Sequence, residues 1–523
     1  MGNDILAPNQ KRIMLINDAT RTGKENMNMF KKKIVDYKNL TENKIYLLYF
    51  LIAITAFMFF YTHSDVRGLN KDDLVSIHVI AGSHSWQELI NRHIEMGLQP
   101  PLETVILYLW AQIAPATVES IKIPSMVAVS IAVFVMGCLG KKVVNSVGGA
   151  LAAIFMAASY YSFIECVFSA RSYGFFVLTS TFAFWVHCII SEKREENKVS
   201  YPMCILYAIS LAILMYTHYF GMILAFSFGV VDSIRMVVEK KQRDAIANNI
   251  KILASYAGAL ILFMPWGMVM VQEYGEYIMS WTASPTFKSI FILGYYYFSN
   301  VWLTVAFALA FLISLIFILK EKKYDFKIKM ICSYLAVVII NIVIPFIYSA
   351  YIKPNNSVWV RRYFCGLMPA VYVMCAFAVV EISKHLKKTG NLLIVISCAI
   401  YVWSNLYGIP LNGKNHENEV YANTIAYLEK ERVDEREDAV IYSSWWGDAF
   451  NYFYTNNFRN ERRPAITELN EKTVPANINT IYLITVQVQD WQEVMANTGF
   501  ELETIDNNVM IAKYKRNKVN VED

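Results

Sequence analysis

The sequence predicts an all-α polytopic membrane body of roughly eleven transmembrane helices, followed by a small C-terminal α/β domain. Three observations carry that prediction. Of the 523 residues 55% are hydrophobic and only 17% charged, against about 25% charged in a soluble globular chain. Apolar runs close to the roughly 17–25 residues that cross a bilayer recur from Ile45 to Ile409. From about Asn412 the composition turns polar and short strand and helix signals alternate.

Residues 1–44 are polar and are expected to hold no cleavable signal, and Leu6 stands where a myristoylation site needs Ser or Thr. Lys31, Lys32 and Lys33 precede the first span, Ile45–Tyr61, which makes this segment cytoplasmic. Further basic clusters fall at Lys141-Lys142, Glu192–Lys198, Arg235–Arg243, Lys320–Lys329 and Lys384–Lys388. If all are cytoplasmic, each consecutive pair must enclose an even number of spans. The apolar runs agree: Val143–Ile164 with Tyr173–Ser191, Tyr201–Thr217 with Tyr219–Val238, Ile252–Val271 with Val301–Leu319, and Ile328–Tyr351 with Tyr363–Ile382. The last span, Leu392–Ile409, leaves the C-terminus outside.

Between Tyr61 and Lys141 the parity requires an odd number of crossings, yet two apolar runs appear. Pro101–Ala116 is short and opens with two prolines and Glu103, so it is expected to lie in the outer interface, leaving Ile121–Gly140 as the span. Phe287–Phe298 has the same reading. A transmembrane domain over 45–411, with its first outer loop at 62–120, therefore precedes an extracytoplasmic α/β domain over 412–523. The elements expected in the latter are helices at Val420–Glu431, Asp448–Tyr454 and Asp490–Asn497, and strands at Ala439–Ser443, Thr480–Val486 and Val509–Tyr514.

The net charge of +5 is small and spread over the clusters that set topology, which argues against a nucleic-acid partner. Eight cysteines lie in or beside spans, none in a CxxC and none in the polar tail, which argues against a disulfide framework or a zinc site. No internal repeat is visible.

On this topology the ionisable residues near membrane level gather outside. They are Asp72 and Asp73 with His93 and Gln99-Pro100-Pro101 in the first loop, Glu165 and Arg171 before Tyr173, His218 in the turn Tyr216–Phe220, and Lys353, Arg361 and Arg362 before Tyr363. Such residues are costly in a membrane and mark functional sites. A carboxylate can take a proton from an acceptor hydroxyl, and arginines can hold a phosphate and stabilise its charge as it leaves. A lipid carrier would put that phosphate in the headgroup plane.

Six pieces follow one another in a characteristic order: Asp72-Asp73, Gln99-Pro100-Pro101-Leu102, Ile121–Ser125 with Pro124, Ala170-Arg171-Ser172-Tyr173, Tyr216-Thr217-His218-Tyr219, and Arg362-Tyr363 followed by Pro369. The set resembles the GT-C superfamily of integral-membrane glycosyltransferases, in particular its bacterial branch related to protein O-mannosyltransferases and lipid A aminoarabinose transferases. The likeness covers most of 45–410. It implies that an acid of the first pair is the base of an inverting transfer from a polyprenyl-phosphate sugar, with Asp72 favoured by its order and Asp73 the other candidate. It also implies that Arg171, Arg361 and Arg362 hold the donor phosphate and that His218, Tyr173 and Gln99 meet substrate. Two features depart from the family. Its acid pair is usually Asp-Glu, so which carboxylate acts stays open here, and Gln99-Pro100 replaces the Glu-Lys or His of some relatives, which removes support for a metal or phosphate contact at that point.

Plainer roles compete with these. Asp72 and Asp73 could cap a helix starting at Leu74, Arg171 and Arg362 could be interfacial anchors, and His218 could bond within its own turn. His93 and Glu165 read first as loop residues, and Trp445-Trp446 as packing against the membrane.

The function expected is glycosyl transfer from a polyprenyl-phosphate-linked donor to a lipid, glycan or protein acceptor on the outer face of a bacterial plasma membrane. A transporter or lipid flippase is the alternative. It would carry buried charge pairs mid-span and two-fold repeats, whereas the spans read as nearly charge-free. A polymerase or ligase of surface polysaccharide would differ mainly in its acceptor. The expected partners are the lipid-linked donor, an acceptor and membrane lipids. No cofactor follows with certainty from the sequence, and a divalent cation stays open.

Overall fold

A backbone in hydrocarbon must satisfy its own hydrogen bonds, so long apolar runs fold as helices. The computed structural model describes residues 42–516 apart from 65, 68, 70, 98, 116, 239–242, 273–281, 323, 387–388, 408–423, 425, 444–475, 485–494, 496–498 and 507–510. Contacts within the chain define two units, Met1–Leu51 and Ile52–Asp523. The described part of the first is the opening of helix α1 (Glu42–Thr62), and everything below belongs to the second.

Three short helices follow α1: α2 (Lys71–Ala81), α3 (Trp86–Glu95) and α4 (Leu102–Ala111). The helical body continues with α5 (Val118–Val143), α6 (Ser146–Ala157), α7 (Tyr173–Glu195), α8 (Tyr201–Thr217), α9 (Tyr219–Val238) and α10 (Arg243–Gln272). A short α11 (Phe287–Phe298) precedes α12 (Val301–Glu321), α13 (Phe326–Ile347), α14 (Met368–His385) and α15 (Gly390–Tyr407). The caps are where the sequence offers them. Thr117 Oγ1 accepts from Ser120 N, Asn145 Oδ1 from Gly148 N and Asp325 Oδ1 from Ile328 N.

Among the described residues nine helices are long and apolar enough to cross a membrane: α1, α5, α7, α9, α10, α12, α13 with its π-helical extension to Ile352, α14 with a 3-10 helix ahead of it from Arg361, and α15. The chain is an integral membrane protein. The other two expected positions hold α6 and α8, of 12 and 17 residues. α4 and α11 rise only about 15–18 Å, well short of the roughly 30 Å of hydrocarbon, so neither crosses by itself.

Two expectations are corrected. Val143–Ile164 is not one continuous span: α6 ends at Ala157, and a π-helical turn follows at Ser162–Val167. The break holds because protein groups take up the freed polar atoms. Tyr160 N donates to Asn405 Oδ1 of α15 (3.0 Å), Ser162 Oγ to Met156 O (2.9 Å), and Tyr372 OH to Ser159 Oγ (2.6 Å). Nor are the spans nearly charge-free. His187 of α7 and Asp232 of α9 are buried 3.2 Å apart, and Tyr256 OH donates to the same carboxylate at 2.7 Å. A lone Asp inside an apolar run looks unpaired in sequence, because its partners come from other helices.

Close helix packing uses small residues. A Cβ at Gly140 would lie 2.9 Å from Gly149 Cα, which fixes the tight α5–α6 hairpin. At the end of the body where α5, α7 and α9 finish and α13 begins, Lys142 pairs with Glu192 (2.6 Å), and Arg235 and Lys329 both reach Glu195 (3.5 and 2.9 Å). These are four ends that the charge clusters assigned to one side.

The C-terminal region holds a four-stranded sheet of order β1-β2-β4-β3: β1 (Ala439–Ser443), β2 (Thr480–Ile484), β3 (Phe500–Asp506) and β4 (Ile511–Arg516). β1 runs parallel to β2, and β4 is antiparallel to both β2 and β3. Ile481 and Leu483 face one core and Tyr482 the other, as the two-residue period requires. β1 has the expected bounds, β2 and β4 overlap theirs, and β3 is an addition. Its exposed Glu501 and Glu503 blunt a sheet edge, and they also hide the strand from a propensity reading. Residues 426–430 of the helix expected at Val420–Glu431 are helical. Those expected at Asp448–Tyr454 and, save Met495, at Asp490–Asn497 lie outside the described residues, as do Trp445 and Trp446.

Candidate active site

The acid pair begins the site. α2 starts at Lys71, so Asp72 and Asp73 sit inside its first turn, where the helix dipole favours acids, and not at a cap before Leu74. Their side chains leave the helix in different directions. Asp73 is fully buried: its Oδ1 accepts from Ser169 Oγ (2.6 Å) and Ala170 N (2.9 Å), and its Oδ2 from Arg67 Nη2 (3.5 Å). Arg67 also donates to Ile164 O at 2.7 Å, and the buried Lys122 donates to Ser64 O (2.8 Å) and Arg67 O (2.5 Å). Asp73 thus anchors the connection that carries Arg171.

Asp72 is the open member of the pair, with 37% of its side chain exposed, and it forms an ion pair with Arg362 Nη2. Arg171 lies against the same turn, where Nη1 donates to Ser76 Oγ (3.1 Å) and to the Asp72 carbonyl (3.4 Å). Burial works against the charge of Arg171, but Tyr173, Glu103 and Asp72 outweigh it and hold the guanidinium more firmly protonated than usual. The Nε atoms of Arg171 and Arg362 have no hydrogen-bond partner among the described residues. A buried N–H without a partner is costly, so both guanidiniums keep capacity for a further acceptor.

Aromatic rings wall this group. The Arg362 guanidinium lies 5.5 Å from the Tyr173 ring centre, and Tyr173 stacks with Tyr363 at 6.3 Å. Gly174 lets α7 start close to its neighbours, since a Cβ there would lie 2.8 Å from Cys166 O. His218 is buried between them, stacked on Phe176 at 4.9 Å and edge-on to Tyr363 at 4.9 Å. Its Nδ1 accepts from Phe220 N (3.1 Å), so Nε2 carries the hydrogen, and that N–H has no partner. Burial, then the charges of Arg171 and Arg362, lower its pKa to about 3. His218 therefore joins its own turn and also keeps a free donor at the site.

His93 of α3 and Gln99, in the connection between α3 and α4, brace the site. His93 Nε2 donates to Gln99 O (2.5 Å), and Nδ1 accepts from Thr104 Oγ1 (2.9 Å). Burial lowers the His93 pKa to about 4 against the opposing bond to Gln99. Gln99 Oε1 accepts from Tyr219 N at 3.4 Å, tying this loop to the α8–α9 turn. Among the described residues Gln99 thus bonds to protein on both its carbonyls.

Arg361 does not join Asp72. Its guanidinium turns over the Tyr296 ring at 4.3 Å and, with Glu165 of the π-helical turn, Arg362, Thr282, Ser284 and Trp359, lines a neighbouring cavity of about 530 Å³. Among the described residues no three His, Cys, Asp or Glu side chains come together as a metal-ligand set, and the partner of Asp72 is a guanidinium. Sequence reasoning missed Arg67, Ser76, Ser169 and the buried carboxyl of Glu103. Lys122 and Glu103, ionisable inside apolar runs, were the available signals.

Residues 98–268 match the family profile described as dolichyl-phosphate-mannose-protein mannosyltransferase. The crystal structure of ArnT from Cupriavidus metallidurans bound to undecaprenyl phosphate shares the fold, with a TM-score of 0.57 and 9% identity over 90% of this chain and 98% of that one. The same protein in its apo state gives 0.56 and 8% over 89% and 97%. No curated protein matches the chain.

Proposed function

We propose that this chain, a membrane glycosyltransferase of the GT-C superfamily, moves a sugar from a polyprenyl-phosphate-linked donor to an acceptor on the outer face of a bacterial plasma membrane, with inversion at the anomeric carbon. The observation that carries this reading is the convergence of one open carboxylate, Asp72, with two guanidiniums, Arg171 and Arg362, at one end of the helical body. The undecaprenyl phosphate bound by the ArnT structure of the same fold supports a polyprenyl-phosphate carrier. The basic clusters at the opposite end support an orientation with the N-terminus cytoplasmic and both the site and the 412–523 domain outside.

In this reading Arg171 and Arg362 hold the donor phosphate. Arg362 exchanges its bond to Asp72 for the phosphate, and the carboxylate becomes free to act. Asp72 takes the proton of an acceptor hydroxyl. The acceptor oxygen forms its bond to the anomeric carbon on the face opposite the phosphate, the carbon–oxygen bond to the phosphate breaks, and the electron pair leaves on the phosphate oxygen. The guanidiniums stabilise that growing charge, and attack from the opposite face inverts the anomeric centre. Asp73, buried and bonded at both oxygens, serves to place Arg171.

The cavity beside Arg361 and Arg362, with its Glu165 carboxylate and the hydroxyls of Thr282 and Ser284, gives the sugar or the acceptor polar partners. The test is transfer by the purified chain from a polyprenyl-phosphate sugar. Wild type should release the polyprenyl phosphate and invert the linkage, Asp72→Asn should do neither, and retention of anomeric configuration would contradict the mechanism.

A further inference from the structure

Glu103, in the first turn of α4, is 2% exposed, and its Oε1 has no hydrogen-bond partner among the described residues. Its other oxygen lies 3.4 Å from Thr104 Oγ1. Thr104 has one hydroxyl hydrogen, and His93 Nδ1 takes it, because His93 Nε2 must donate to the Gln99 carbonyl. Thr104 then faces Glu103 with a lone pair, an arrangement that suits a protonated carboxyl donating to it. On its other side Glu103 meets Ser76, whose hydroxyl receives the Arg171 guanidinium at 3.1 Å.

We propose that Glu103 is a positioning residue that sets the strength with which Arg171 holds the donor phosphate. Ionised, Glu103 competes with the phosphate for the guanidinium through Ser76. Protonated, it bonds to Thr104 and leaves the guanidinium to the phosphate. This rests on the reading of Arg171 as a phosphate-holding residue given above.

The charge state of Glu103 is poised to change in the physiological range. Burial pushes its pKa up to about 7 against the opposing pull of Arg171 and Ser76, with Asp73 adding to the rise. The titratable and charged groups that act on it are Asp73 on α2, Arg171 at the start of α7 and, through Thr104, His93 on α3. His93 and His218 stay neutral between pH 6 and 8 because burial holds their pKa values at about 4 and 3.

The prediction has a distinctive sign. A phosphate monoester gains its second charge near pH 6, so binding to a fixed guanidinium should strengthen as pH rises. Glu103 should reverse that trend. Binding of farnesyl phosphate to the full chain in detergent, measured at pH 6 and pH 8.5, should weaken about 5–10-fold with rising pH in wild type. In Glu103→Gln it should stay level or strengthen, and at pH 8.5 the variant should bind more tightly than wild type. Glu103→Ala should show the same reversal should the glutamine variant fold poorly. Arg171→Ala should bind weakly and lose the weakening at high pH. Parallel pH profiles for wild type and both Glu103 variants would overturn this inference alone, whereas no binding by wild type at either pH would overturn the donor reading with it.

Discussion

Asp72 and Arg362, 290 residues apart in the chain, form an ion pair that joins the first turn of α2 to the 3-10 helix ahead of α14. With Asp72 a third exposed, such a pair contributes about 1 kcal/mol or less to stability. In the proposed reaction its value lies in bringing together the acid and the cation proposed to hold the phosphate.

That contrast gives the first prediction. Arg362→Ala and Arg171→Ala should each weaken binding of a polyprenyl phosphate by about tenfold or more, the worth of one charge-assisted hydrogen bond. Arg362→Ala should leave the melting temperature near that of wild type. Titration with the lipid phosphate alongside thermal unfolding separates the two effects, and unchanged affinity in both variants would remove the phosphate grip from the account.

Asp73→Asn should behave differently. An asparagine can still accept from Ser169 and Ala170, but Arg67 loses a carboxylate in a buried place, at a cost of about 1–3 kcal/mol. The expected result is a lower melting temperature with transfer per folded molecule close to wild type. Full stability with no transfer would instead make Asp73 the acting acid.

Acid should destabilise the protein through its buried histidines. Burial holds His93 near pKa 4 in the folded chain, while an unfolded histidine titrates near 6.5. The lowered folded value means that this contribution is complete above about pH 6.5 and is lost as pH falls toward 4. His93→Gln, whose amide can keep bonds to Gln99 and Thr104, should lose less melting temperature between pH 7 and 4.5 than wild type. Equal losses would show that His93 does not carry this dependence.

Much of this arrangement is legible in the sequence because bilayer thickness sets helix length and basic clusters mark helix ends. Phe287–Phe298 has the same bounds as a sequence run and as a helix, and the ends near Lys142, Glu195 and Lys329 meet as the charge parity requires. Local pattern fails where the deciding partner is distant. The break after Ala157 depends on Asn405, 245 residues from Tyr160, and the division of labour between Asp72 and Asp73 depends on Ser169 and Arg362. Two adjacent acids carry no mark in sequence of which will be buried. Glu103 reads as one acid opening an apolar helix, and its significance comes from Ser76 and Arg171, which reach it only in the fold.

The most direct test of the central claim is the rate of sugar transfer by Asp72→Asn, measured together with its affinity for the lipid-linked donor. An amide cannot take the acceptor's proton, and loss of a positioned base costs about 10²–10⁴ in rate. The account predicts a fall of that size with donor affinity unchanged or raised, because the carboxylate that competes for Arg362 is gone. Transfer at the wild-type rate by Asp72→Asn, alone and combined with Asp73→Asn, would contradict it and leave the acid pair a structural feature of α2.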